Sequence, residues 1–194
     1  MKNYLLFTLL TFGLLIIGCG SKGGPDLSPE ASTKTVKNIP DWYLNTPVND
    51  GYQYAAAEAT SQSMQLAVDK ARVAAVSNLS QMIKSEWNGY TKRVQEETGM
   101  GADSKLLDQF STTQENVISN QLENVIVKEK EIQVENSGGT RIYRTFVLVE
   151  LDENAAQDKL LAQIKADQQL YDAIKASELI DEMEQKVEAY RQRK

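Results

Sequence analysis

Histidine is absent from this chain of 194 residues, and cysteine occurs once, at Cys19. The first absence excludes imidazole acid–base catalysis and Cys/His zinc sites. Together the two exclude a Cys–His nucleophile pair and an internal disulfide. Excess positive charge is missing too. Lys and Arg number 21 against 27 Asp and Glu, a formal charge of −6, so the chain lacks the electrostatic footprint of a general nucleic-acid binder. It contains no Asp-x-Asp pair, no Ser-x-x-Lys and no Gly-x-Ser-x-Gly, and it has no internal repeat. What remains is globular in character: 41% hydrophobic and 25% charged residues, in a length sufficient for one domain with its own core.

Long apolar runs are also scarce, and the one present lies at the start. Lys2 supplies a positive charge, and Leu5 to Ile17 is almost unbroken in its hydrophobicity. At ~1.5 Å per residue this run of about 13 residues reaches roughly 20 Å, short of a ~30 Å hydrocarbon core. That describes a secretory signal rather than a membrane span. The run ends in Ile16-Ile17-Gly18-Cys19, which resembles the lipobox of bacterial lipoproteins. The resemblance implies that residues 1–18 are a signal peptide cut between Gly18 and Cys19. It implies a diacylglyceryl group on the Cys19 sulfur and a further acyl chain, such as palmitate, on its new amine. Cys19 supplies the thiolate nucleophile, and small Gly18 fits beside the scissile bond. Three acyl chains hold a protein on a membrane indefinitely, because two already anchor stably at ~0.8 kcal/mol per buried CH₂. Gly20 follows in place of Asp, which by the family's sorting rule points to the outer membrane.

Residues 19–39 are rich in Gly, Ser, Thr and Pro and have no apolar period, so we expect a flexible tether after the lipidated cysteine. Its length is ~25 Å on average and roughly 70 Å at most.

Residues 40–194 are expected to form a single α+β domain: a small three-stranded sheet carrying long amphipathic helices. Pro40-Asp41-Trp42-Tyr43 opens it, an aromatic pair suited to plug a groove. Asn49-Asp50-Gly51 marks a turn, and Tyr52 to Ala59 reads as a strand with an alanine face that lets a helix approach closely. Ser61 or Ser63 caps a helix running to Thr98 with the stripe Met64, Val68, Ala71, Ala75, Leu79, Met82, Ile83, Trp87, Tyr90 and Val94. Asn88-Gly89 either kinks that helix or ends it early. A second helix runs from Asp103, its expected cap, to about Leu122. Val125–Glu135 and Arg141–Leu151 then form a hairpin about Asn136-Ser137-Gly138-Gly139. The first of these strands is charged, as an edge strand is; the second is apolar on both faces, as a central strand is. Either helices of the same chain or a partner surface could cover those two faces. Asp152 caps one long final helix carrying Ala156, Leu160, Ile164, Tyr171, Ile174, Ile180, Met183 and Val187.

The pieces Pro40-Asp41-Trp42-Tyr43, Tyr52-Gln53-Tyr54, Ala67-Val68-Asp69-Lys70-Ala71-Arg72-Val73-Ala74-Ala75 and Tyr143-Arg144-Thr145-Phe146-Val147-Leu148-Val149, in this order, resemble the LPP-20-type bacterial lipoproteins. Ala55-Ala56-Ala57 departs from the glycine often found near the end of that family's first strand. The resemblance implies a small outer-membrane lipoprotein of the cell envelope; some relatives build structures around the flagellar motor. It carries over no catalytic residue.

Sequence motifs for chemistry are few. Gly99-Met100-Gly101-Ala102-Asp103-Ser104 lies between helices and reads as a helix stop rather than a phosphate loop. Glu96-Glu97 and Asp181-Glu182 read as solvated helix faces. Arg191, Arg193 and Lys194 read as compensation of a helix dipole, with anionic lipid or cell wall as the alternative. The expectation is a non-enzymatic structural or interaction module, lipid-anchored at the outer membrane and facing the periplasm. It has no catalytic, cofactor or metal residues, no nucleic acid and no small-molecule substrate, and it partners with an envelope protein or with itself. The alternatives are a subunit of a flagellum-associated assembly and an envelope enzyme using carboxylates.

Overall fold

The computed structural model describes residues 38–137 and 139–193. Short α1 (Asp41–Leu44) is followed by β1 (Tyr52–Ser61), α2 (Met64–Thr98), α3 (Lys105–Leu122), β2 (Ile126–Ser137), β3 (Thr140–Asp152), α4 (Glu153–Ala166), α5 (Gln168–Ile174) and α6 (Glu178–Arg193). The fold is α+β. The three strands form one antiparallel sheet in the order β1-β3-β2, with the apolar strand β3 at its centre. Charged β2 lies at the edge, and a bulge between Val127 and Glu129 interrupts its ladder, which blunts it against pairing with another chain.

The alanine face of β1 does what its size allows. Ala55 and Ala57 are buried in the same cluster as Ala71 and Ala75 of α2, so small side chains meet small ones. The α2 helix is continuous. Ser63 Oγ accepts from Leu66 N at 3.4 Å at one end, and Gly99 stops it at the other with φ 69 and its N–H on Gln95 O. Asn88-Gly89 therefore does not end it. A helical glycine costs about 1 kcal/mol, and burial of Trp87 and Val94 on either side outweighs that.

Burial on α2 falls at Ala67, Ala71, Ala75, Leu79, Ile83, Trp87 and Val94, whereas Met64 and Met82 are about half exposed. Steps of four residues advance the buried face by about 40° each, so it turns by roughly 200° between Ala67 and Trp87. The helix can thus pack first on the sheet and then on other helices. Asn78 Nδ2 donates to Ala56 O of β1, while further along Thr91 Oγ1 donates to Gln114 Oε1 of α3 and Arg93 donates to Glu182 of α6.

The expected single final helix is three. After Asp152, whose Oδ1 accepts from Ala155 N as anticipated, α4 ends at Asp167, which leaves helical geometry and caps α5 by accepting from Leu170 N at 3.0 Å. A second break precedes α6, where Ser177 is fully buried. The third helix likewise starts one residue later than expected, with Ser104 rather than Asp103 at its cap position.

The sheet face opposite α2 is closed by the N-terminal segment. Pro40 is buried, and the Tyr43 ring meets Phe146 edge-on, 5.0 Å between centroids. Phe146 and Leu148 have no exposed surface, nor do Val147 and Val149 on the other face. Intrachain elements therefore cover both faces of the central strand.

Candidate functional site

The end of the sheet where β3 runs into α4 gathers the densest polar network. Gly51 makes the junction possible. Its carbonyl accepts from Glu153 N at 2.9 Å and from Asn154 N at 3.4 Å, and its φ is +78. A Cβ there would lie 1.7 Å from Asn154 Nδ2, so any other residue would strain the backbone and push the Asn154 amide aside.

Beside this turn, Gln53 Nε2 donates to two carboxylates, Glu153 Oε2 at 3.0 Å and Glu86 Oε2 at 3.2 Å. Tyr90 OH donates to Glu86 Oε1 at 2.7 Å, and Gln157 Nε2 donates to Glu153 Oε1 at 2.8 Å. Three elements, β1, α2 and α4, are tied together through this acid pair. Partial burial, then the nearby Glu86 charge, push the Glu153 carboxyl above the ordinary range. Burial, then the bond to Glu86, push the Tyr90 phenol up as well. Gln157 is 2% exposed, and its Oε1 has no hydrogen-bond partner among the described residues.

A cavity of about 340 Å³ opens from this network, lined by Asp50, Glu153 and Gln157 on one side and by Lys186, Ala189 and Arg193 of α6 on the other. A second hollow of about 400 Å³ shares Asp50, Asn154 and Arg193 with it and reaches Tyr190, whose hydroxyl donates to Asp152 Oδ2 at 3.0 Å. The two hollows meet along α6.

Other charged groups serve as struts. Arg93 of α2 pairs with Glu97 at 2.6 Å and with Glu182 of α6 at 2.8 Å. Glu97 Oε2 also accepts from Ser177 Oγ and from Leu179 N, capping α6 from outside; the Ser177 bond comes first among the causes that hold its carboxyl below the usual range. Glu97 and Glu182 are therefore interhelix ties, not merely solvated. On the outer sheet face Arg144 pairs with Glu58 and Glu135, each at 2.9 Å. Arg191 reaches Asp158 of α4, so it acts across helices and not only on its own dipole. The segment from Gly99 is the helix stop described above.

The lipobox residues Gly18 and Cys19, residues 19–37 of the expected tether and Lys194 lie outside the described residues; the last two tether residues are not free, since Gln133 Nε2 of β2 donates to Asn38 O at 2.6 Å and Ile39 is half-buried. Among the described residues no helix is long and apolar enough to cross a membrane, and no three acidic or cysteine side chains cluster to hold a metal ion. The network about Gln53 joins residues 33 and 100 positions apart, and no sequence spacing signals it. Comparison of the chain with family models, curated proteins and solved structures found no match.

Proposed function

We propose that this is a lipid-anchored protein of the bacterial envelope, tethered through Cys19 to the outer membrane and acting in the periplasm as a non-enzymatic structural or interaction module. The observation that carries this reading is the position of the chain's only cysteine, immediately after the apolar run and Gly18. The described body supports it by the kind of groups it holds. Several of its ion pairs join different elements, as in Arg93–Glu182 and Arg144–Glu58, as suits a rigid body. Within this reading the chain is of the LPP-20 type, on the strength of its four ordered motifs.

Expression of Cys19→Ala tests the anchor. The unaltered chain should fractionate with outer membrane and show the mass of a triacylated, processed amino terminus. The variant should lose the acyl mass and leave the membrane fraction. Membrane retention of Cys19→Ala, or an unmodified leader on the native chain, overturns the proposal.

A further inference from the structure

The two edges of the sheet are finished differently. Gly51 O accepts from Glu153 N at the end of the β1–β3 pair. By antiparallel alternation the even-numbered residues of β1 therefore turn their N–H and C=O away from β3. That edge is engaged. Tyr52 N donates to Asn49 O at 3.1 Å, and Ala56 O accepts from Asn78 Nδ2 of α2 at 3.4 Å. Carried through β3, the same alternation turns the N–H and C=O of Lys130, Ile132, Val134 and Asn136 of β2 outward. No backbone hydrogen bond among the described residues reaches this second row.

The side chains along the row are uncovered as well. Helix α2 lies over β1 and β3, and β2 stands beyond it. Ile132 and Val134 share the face of Val147, where Ile132 is half-buried and Val134 about half exposed. Glu129, Glu131 and Glu135 alternate with them on the opposite face. Arg144 pairs with Glu135, but no ion pair among the described residues reaches Glu129 or Glu131. The bulge blunts β2 only near its start; from Glu129 to Ser137 the register with β3 is unbroken.

These charges select the occupant. Two copies of β2 paired antiparallel would bring residues of one face together. Every such register centred between Glu129 and Gln133 sets one of the three acids against another, which is destabilising. A strand with cations at those places matches them instead. We propose that the edge from Glu129 to Asn136 takes up an extended segment of another protein as a fourth strand, one in which Lys or Arg alternates with β-branched apolar residues. The outward N–H and C=O groups bond its main chain, Glu129 and Glu131 meet its cations, and its apolar side chains continue the strip of Ile132 and Val134. This names a partner for the interaction module proposed above. It does not depend on the lipid anchor, and peptide binding is read separately from membrane fractionation.

The experiment is calorimetric titration of the full-length protein in nonionic detergent with acetyl-Lys-Val-Lys-Val-Lys-Val-amide, beside the same peptide with Glu for every Lys. The lysine peptide should saturate, and the glutamate peptide should bind at least tenfold more weakly. Val134→Pro removes an outward N–H that β3 does not use, a place where an edge strand tolerates proline; it should weaken binding at least tenfold. Glu129→Lys/Glu131→Lys should reverse the preference between the two peptides, a result that mere loss of structure could not give. The proposal is overturned if the lysine peptide fails to saturate by about 1 mM, the weak end of specific affinity. It is equally overturned if the two peptides bind alike or the double variant keeps the original preference. A peptide-free dimer that Val134→Pro dissociates would give the edge to a second copy and overturn it too.

Discussion

Two acids three residues apart are driven in opposite directions by what surrounds them. Burial opposes the charge of Glu150, but the Tyr54 hydroxyl at 2.7 Å and the Lys128 ammonium at 3.0 Å outweigh it and hold the carboxyl below the usual range. Glu153 has no such cation within bonding distance and faces Glu86 instead, so its carboxyl is raised. The consequences for stability have opposite signs. Glu150 favours the fold above the ordinary carboxyl pKa, and that contribution is lost as pH falls through its lowered value. Glu153 favours the fold below the ordinary value, and its contribution is lost as pH rises through the raised one. Glu153→Gln keeps the shape and removes the like charge facing Glu86, a gain we expect to exceed the loss of one of the two bonds that Gln53 donates to Oε2 and Gln157 to Oε1. We expect it to raise the melting temperature at pH 7 and to flatten its decline from about pH 4.5, the ordinary carboxyl region. Thermal melts between pH 4 and 8 would show this; a lower midpoint at pH 7 with the slope unchanged would remove the like-charge account. Nothing in the sequence marks this pair, because Glu86 and Glu153 read as ordinary acids within helical patterns and only the fold brings them to one amide.

Elements were legible wherever a local signal decided them. A short run of β-branched and aromatic residues, apolar on both faces, marks β3, Asn136-Ser137-Gly138-Gly139 marks the hairpin, and Gly99 marks the end of α2. The break of the last helix into α4, α5 and α6 was not legible, since the apolar spacing from Ile164 to Tyr171 crosses Asp167 in seven residues, with hardly a change of helical face. What divides the helix is tertiary. Asp167 accepts from Leu170 N at the start of α5 and from Gln109 Nε2 of α3, and Glu97 of α2 meets the start of α6 at Ser177 and Leu179. A straight helix of that length would leave the sides of α2 and α3 bare. Asp167→Ala removes one cap and one interhelix bond. By the usual worth of a cap it should cost about 1–2 kcal/mol, a fall of roughly 2–8 °C in melting temperature for a body this size. An unchanged midpoint would mean that packing alone bends the chain there.

At the scale of the molecule, a central strand that is apolar on both sides poses a problem of coverage. Helix α2 is too narrow to cover two faces, and a chain that left Phe146 and Leu148 bare would need a partner over them. The segment from Pro40 to Leu44 meets that need from within. Four helical residues after a buried proline swing Tyr43 onto Phe146, and Trp42 stands edge-on to Tyr43 with 6.4 Å between ring centroids. Burial, then the charge of Glu58, raise the Tyr43 phenol despite Arg144 nearby, as expected of a hydroxyl pressed into the sheet surface. If this segment is the cover, the double variant Trp42→Ala/Tyr43→Ala should lose about 2–4 kcal/mol, a loss lessened from full aromatic burial because both rings are only half-buried. It should also bind a hydrophobic dye that the unaltered protein does not, and Phe146 should become accessible to solvent probes. Equal dye binding by both proteins, with the same unfolding midpoint, would mean that the face depends on another surface for its cover, and the search for a partner should then begin at Phe146 and Leu148.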